Sequence, residues 1–190
     1  MCCRYAIVSQ FPDGKLTAIV EMMEKNYPGR YKTGEIYPGD TAPALIERNG
    51  KIIAVPAVFG FPGFQNGRLL INARAETAEE KRMFSESLKT QRMILPATGF
   101  FEWSRDTDKT KYLFMNDSYE VIYLCGLYKI IDGQYRFVIL TRAANESMLE
   151  IHDRMPVIAT EDEVRPYLSD LNSAKAVITK QAPVLIHELA

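Results

Sequence analysis

The chain is poor in cysteine. It has three, Cys2, Cys3 and Cys125, with no Cys-x-x-Cys pair among them. An odd number without that spacing argues against a disulfide scaffold and against a zinc ribbon. No metal and no cofactor is expected. No apolar run reaches the ~18 residues that a membrane-spanning helix requires. Behind Met1-Cys2-Cys3-Arg4 there is no apolar segment of the kind a secretory signal or a lipid-attachment cysteine needs. The expected compartment is therefore the reducing cytoplasm, with no membrane partner. An excess of charge is also missing. The net charge is −1, so no overall basic field announces a nucleic acid. Charge alone favours a small-molecule enzyme, and any contact with a polyanion must come from a local cluster of Arg and Lys.

What is present is the make-up of a globular protein: 190 residues, 47% hydrophobic and 25% charged. That is enough for one domain, residues 1–190, with a core large enough to fold alone as a monomer. There is no internal repeat, low-complexity stretch or linker, and the glycines are scattered as turn markers. Leu16, Ile19, Val20 and Met23 recur at helical spacing and predict an amphipathic helix over 16–26. Asn49-Gly50, between two apolar runs, predicts a β-hairpin, and Asp132-Gly133 predicts a second. Thr77 with Glu80, and Thr160 with Glu163, have the spacing of capping boxes. They predict helices over 78–89 and from 161 to about Leu168, the latter kinked or stopped early by Pro166. Strands are expected near 92–95, 98–103, 111–115, 120–130 and 134–141, and a short helix over 143–150. Hairpins dominate and βαβ units do not. The fold expected is α+β, a mostly antiparallel, strongly curved, barrel-like sheet with flanking helices.

Four places carry chemistry. With Met1 removed, Cys2 presents an α-amine and a thiol on adjacent carbons. The amine condenses with an aldehyde to an imine, and the thiol closes a five-membered thiazolidine. An α-amine of pKa ~7.7–8.0 leaves a useful neutral fraction near pH 7. In Phe100-Phe101-Glu102-Trp103, strand alternation puts Glu102 on the face of Phe100, where desolvation raises a carboxyl toward acid–base use. His152, in His152-Asp153-Arg154-Met155-Pro156, titrates near neutral pH. In Asn72-Ala73-Arg74-Ala75-Glu76-Thr77, Asn72 and Arg74 share a face if the segment is extended. There Asn72 donates to a carbonyl or hydroxyl and Arg74 forks onto a phosphate. Taken singly, each has an ordinary explanation: an accidental terminal cysteine, an edge-strand glutamate facing water, a loop histidine, a loop leading into a helix cap. His187 is assigned a structural role.

Taken together, the four blocks Met1-Cys2-Cys3-Arg4, Asn72–Thr77, Gly99–Trp103 and His152–Pro156 resemble, in order and over nearly the whole chain, the SOS-response-associated peptidase (SRAP) family. The resemblance implies a catalytic set of Cys2, Asn72, Glu102 and His152. It implies that Cys2, made N-terminal by autocatalytic loss of Met1, bonds to the ring-opened sugar of an abasic site in single-stranded DNA. Glu102 would shuttle protons, His152 would act on the opened sugar, and Asn72 would position the terminus. Arg4, Arg74 and Arg154 match positions that hold DNA phosphates. Phe59, Phe61 and Phe64 match a segment whose aromatics stack on bases. The chain departs from the pattern in three places. Cys3 stands where a glycine is usual, Phe replaces Trp in the aromatic segment, and Glu35, where Asn is common, would repel phosphate. Two other functions remain open: a non-catalytic single-strand-binding module, and a cysteine amidohydrolase with an N-terminal nucleophile.

Overall fold

The computed structural model describes residues 3–8, 14–63, 67–118 and 120–190. The chain opens with β1 (Arg4–Ile7), α1 (Lys15–Asn26) and β2 (Gly34–Ile36), followed by the hairpin β3 (Thr41–Arg48) and β4 (Lys51–Phe59). Short strands follow: β5 (Phe61–Pro62), β6 (Leu69–Leu70) and β7 (Asn72–Arg74). After a single 3₁₀ turn at Ala75–Thr77 come α2 (Ser85–Thr90), β8 (Arg92–Ala97), β9 (Gly99–Trp103) and β10 (Lys111–Met115). The long hairpin β11 (Ile122–Ile131) and β12 (Gln134–Ala143) leads to α3 (Glu146–Leu149), β13 (Arg154–Pro156) and β14 (Ile158–Ala159). The chain then runs through α4 (Glu161–Ser169), α5 (Leu171–Thr179) and β15 (Ile186–Leu189).

The architecture is α+β. Five strands close on themselves in the order β12-β4-β3-β8-β11 and back to β12, every pairing antiparallel except β12 with β4. A second, wholly antiparallel sheet runs β15-β10-β9-β1-β2. Tyr5 of β1 ties the two together. Its buried ring meets the edges of Phe59 and Phe137, which stack on each other inside the barrel at 4.9 Å between centroids. Such edge-to-face packing adds about 0.5–1.5 kcal/mol per pair beyond area burial.

Both hairpin turns take the backbone their residues demand. Asn49 and Gly50 have φ of 53° and 74°, and Asp132 and Gly133 have 52° and 74°, positive at both central positions. The Thr160–Glu163 capping box also forms, and α4 continues past Pro166 to Ser169, although Pro166 contributes no amide donor to it. The Thr77–Glu80 pattern opens no long helix. Residues 78–84 run as turns pinned by the buried Ala78 and Phe84, and only Ser85–Thr90 is helical; tertiary anchoring overrides the local cap. The helix expected over 143–150 shrinks to α3, one turn capped by the Asn145 side chain.

The feature that positions the site is a split in the β11–β12 ladder. The strands pair from Ile131 and Gln134 as far as Gly126 and Ile139, and then separate. The segment 154–159 fills the gap, β13 pairing β12 and β14 pairing β11. Val157 bridges the two strands, donating its N–H to Leu140 O and accepting from Cys125 N–H, each at 2.8 Å. On the other edge of β12, β7 runs parallel with Asn72 opposite Ile139. The motif blocks at 72–77 and 152–156 thus flank one strand at the barrel rim.

Candidate functional site

Glu102 enters the site from β9, held between β1 and β10 with Tyr112 directly opposite it. Strand alternation sends it inward with Phe100, and it is only 3% exposed. Burial pushes its carboxyl above the ordinary range, opposed by the nearby Arg105 charge. Its Oε1 lies 3.3 Å from His152 Nε2. The backbone N–H of Arg154 donates to His152 Nδ1 at 3.0 Å, so Nδ1 is the acceptor and Nε2 carries the proton toward Glu102. Burial holds the imidazole below its ordinary pKa; Arg105 acts in the same sense, and Asp153, whose Oδ1 is 3.2 Å from Nδ1, acts against it. The pair is therefore a carboxyl tuned upward facing a neutral imidazole, which is what proton transfer near neutral pH requires. Cys3 is half-buried beside them, its thiol pushed up by burial and then by the Glu102 charge. Cys125 is fully buried and its thiol is pushed far up, which makes it an inert core residue.

The structure brings Glu102 and His152 into contact and buries Asn72 on β7. The arginines differ. Arg154 forks onto Glu76 at 2.6 and 2.9 Å and donates to Thr141 O at 2.6 Å. This fork is the main cause that lowers the Glu76 carboxyl to about 2. Arg4 lies between the rings of Tyr37 and Trp103 and pairs with Glu35 at 3.2 Å. Arg74 is exposed and has no polar partner among the described residues. Phe59 and Phe61 correct the expectation that they stack on bases: they are 0% and 2% exposed, Phe59 within the barrel and Phe61 against Phe84. Their apolar rings gain more from the core than a surface position offers. Cys2 and Phe64 lie outside the described residues. His187 is on β15, packed against Tyr112 and Phe114.

Sequence reasoning missed the partners. Glu76, Asp153 and Lys111 each neutralise or share a charge at the site, and Asp153 pairs with Arg105. Lys111 was findable, because a cation on a strand facing an aromatic one places its ammonium over Phe101, here 4.0 Å from the ring. Among the described residues no group of three or more His, Cys, Asp or Glu is arranged to hold a metal ion, and no helix is long and apolar enough to cross a membrane.

The site is thus a buried acid–base pair at the rim of a small closed barrel, beside β1. The family model "SOS response associated peptidase (SRAP)" matches residues 1–188, and the chain belongs to that family. It is 31% identical to the abasic site processing protein YedK of Escherichia coli over 188 residues, covering 92% of this chain and 82% of that one. Over 114 residues it is 40% identical to YoqW of Bacillus subtilis, an abasic site processing protein of which it spans 51%, the match covering 56% of this chain. The abasic site processing protein HMCES of Xenopus tropicalis is 29% identical over 144 residues, with 62% and 42% covered. The fold is shared with a crystal structure of a phage-related protein from Bordetella bronchiseptica, at a TM-score of 0.74 and 20% identity, covering 100% of this chain and 94% of that one. It is shared too with a Bacteroides thetaiotaomicron protein, at 0.76 and 19%, covering 99% and 91%.

Proposed function

We propose that this protein captures abasic sites in single-stranded DNA covalently through Cys2, after it has removed Met1 from itself. The observation that carries the reading is the 3.3 Å contact of Glu102 with His152, next to the strand that begins at Arg4. The relatives' names as abasic site processing proteins support it.

In the capture reaction His152 gives its Nε2 proton to the ring oxygen and takes the hydroxyl proton in its place as the sugar hemiacetal opens to its aldehyde. The Cys2 amine adds to the carbonyl carbon. Protonated Glu102 then delivers a proton to the carbinolamine oxygen, which leaves as water, and a protonated imine remains. The Cys2 thiol adds to the imine carbon, its proton passing to the Glu102 carboxylate, and the thiazolidine, with its N–H, is complete. A carboxyl with a raised pKa suits both halves, since it must donate and then accept. In the processing step the Cys2 thiol attacks the Met1 carbonyl, polarised by Asn72. Glu102 protonates the departing Cys2 amine, and water hydrolyses the thioester to release methionine.

The test is a denaturing gel with abasic oligonucleotides, together with intact mass. A stable adduct is expected with a single strand and much less with duplex. Cys2→Ala abolishes it and Cys3→Ala retains it, because a thiazolidine needs amine and thiol on adjacent carbons. Equal adduct on both substrates, or loss only in Cys3→Ala, overturns the reading.

A further inference from the structure

Glu35, on β2, reaches across β1 and β9 to gather two cations from different strands. Its Oε1 lies 3.2 Å from Arg4 Nη1, and its Oε2 lies 3.0 Å from Lys111 Nζ on β10. Burial raises the carboxyl, but the hydrogen bonds from Lys111 and Arg4 outweigh it, and the net effect holds Glu35 below the ordinary range. Both cations are also seated on rings. The Arg4 guanidinium carbon is 4.3 Å from the Tyr37 centroid and 4.8 Å from that of Trp103, and Lys111 Nζ is 4.0 Å from Phe101. The rings hold the cations in place whether or not Glu35 is paired with them. Two cations on separate oxygens of one anionic group is the arrangement that the non-bridging oxygens of a phosphodiester would take up.

We propose that Glu35 is a specificity-determining residue, an internal occupant of the anion seat formed by Arg4 and Lys111 that a strand's phosphate must displace. The proposal rests on the reading of the protein as a captor of single-stranded DNA. Exchanging one anion for another at the same two cations returns little net affinity. An undamaged strand therefore gains almost nothing from this seat, whereas a strand carrying an aldehyde is retained by the bond to Cys2. Discrimination rests on the chemistry of the lesion rather than on the backbone it shares with every other strand.

The probe is an undamaged thymidine oligonucleotide, with binding measured across a salt series. Glu35→Gln is expected to bind it about tenfold more tightly at low salt, and to steepen the dependence of log K on log salt by roughly 0.7 for each additional phosphate bound. Adding Lys111→Gln to that variant should remove most of the increase. Glu35→Asn, also neutral, should reproduce the effect and serves where Glu35→Gln does not fold. An affinity and salt slope unchanged in the neutral variants overturn the proposal. If the unaltered protein forms no adduct with an abasic strand, it is the DNA reading that fails. If it does form one and the Glu35 variants bind the undamaged strand no better, only the seat assignment falls.

Discussion

At the scale of single residues, the site's charges are, Arg74 apart, already paired within the chain. Glu76 shows the consequence for stability. Its pKa of about 2 in the folded protein lies below the ordinary glutamate value of ~4.3, so the Arg154 pair stabilises the fold above that value. The contribution is lost as pH falls from about 4 through about 2. The Glu76 side chain is 48% exposed, and solvent screening reduces the contribution to about 1 kcal/mol. Glu76→Gln should therefore lower the unfolding free energy at pH 7 by about that much, with the difference from the unaltered protein closing near pH 2. A denaturant series at several pH values measures it, and a gap independent of pH would contradict the assignment. Glu102 and His152 were legible in the sequence because each betrays itself locally, a carboxyl set among aromatics and one of only two histidines. The ion pairs were not legible, because they join residues 31, 76 and 78 positions apart, and no local pattern encodes a partner at that distance.

Among the elements, Arg92 of β8 shows how helices are fastened to the barrel. It is buried, and its guanidinium donates to Tyr167 O at 2.6 Å and to Leu168 O and Leu88 O at 2.9 Å, with a further bond to Lys89 O. These carbonyls belong to the last turns of α4 and α2, where helices leave acceptors without partners and where positive charge is favoured. Arg92→Met should cost about 3 kcal/mol, since it strands several buried acceptors at once. Arg92→Lys should recover less than half of that, because one ammonium does not span both helix ends. Equal midpoints of chemical denaturation for Arg92→Lys and the unaltered protein would refute this. The sequence announced the elements whose signals are short in range: the two hairpin turns, α1 and the cap of α4. It left β7 conditional on an extended segment and β13 as a Pro-bounded strand after His152, and it did not announce α5. The first two take their strand character from neighbours in the β12 ladder rather than from their own composition, and barrel closure depends on a parallel pairing of Ala57–Phe59 with Tyr135–Phe137.

For the molecule as a whole, the position of β1 matters most. The strand that leads out of the N-terminal segment is not at an edge: it lies between β2 and β9, with Arg4 opposite Phe101, and His152 joins Glu102 from farther along the chain. Synthesis imposes an order on this arrangement. At roughly 5–20 residues per second, Trp103 follows Ile7 by about 5–20 s, and His152 follows by several seconds more. Through that interval the nascent chain has an N-terminus and no site around it. Removal of Met1 by the protein's own chemistry must therefore await a nearly finished chain, whereas a general aminopeptidase acts on the emerging terminus at once. Ribosome-bound chains arrested before Glu102 should retain Met1, and released full-length chains should lose it, both read by mass. If the arrested chains have already lost it, the enzyme that trims this protein is another one, and the barrel folds on a chain whose terminal amine was Cys2 from the start.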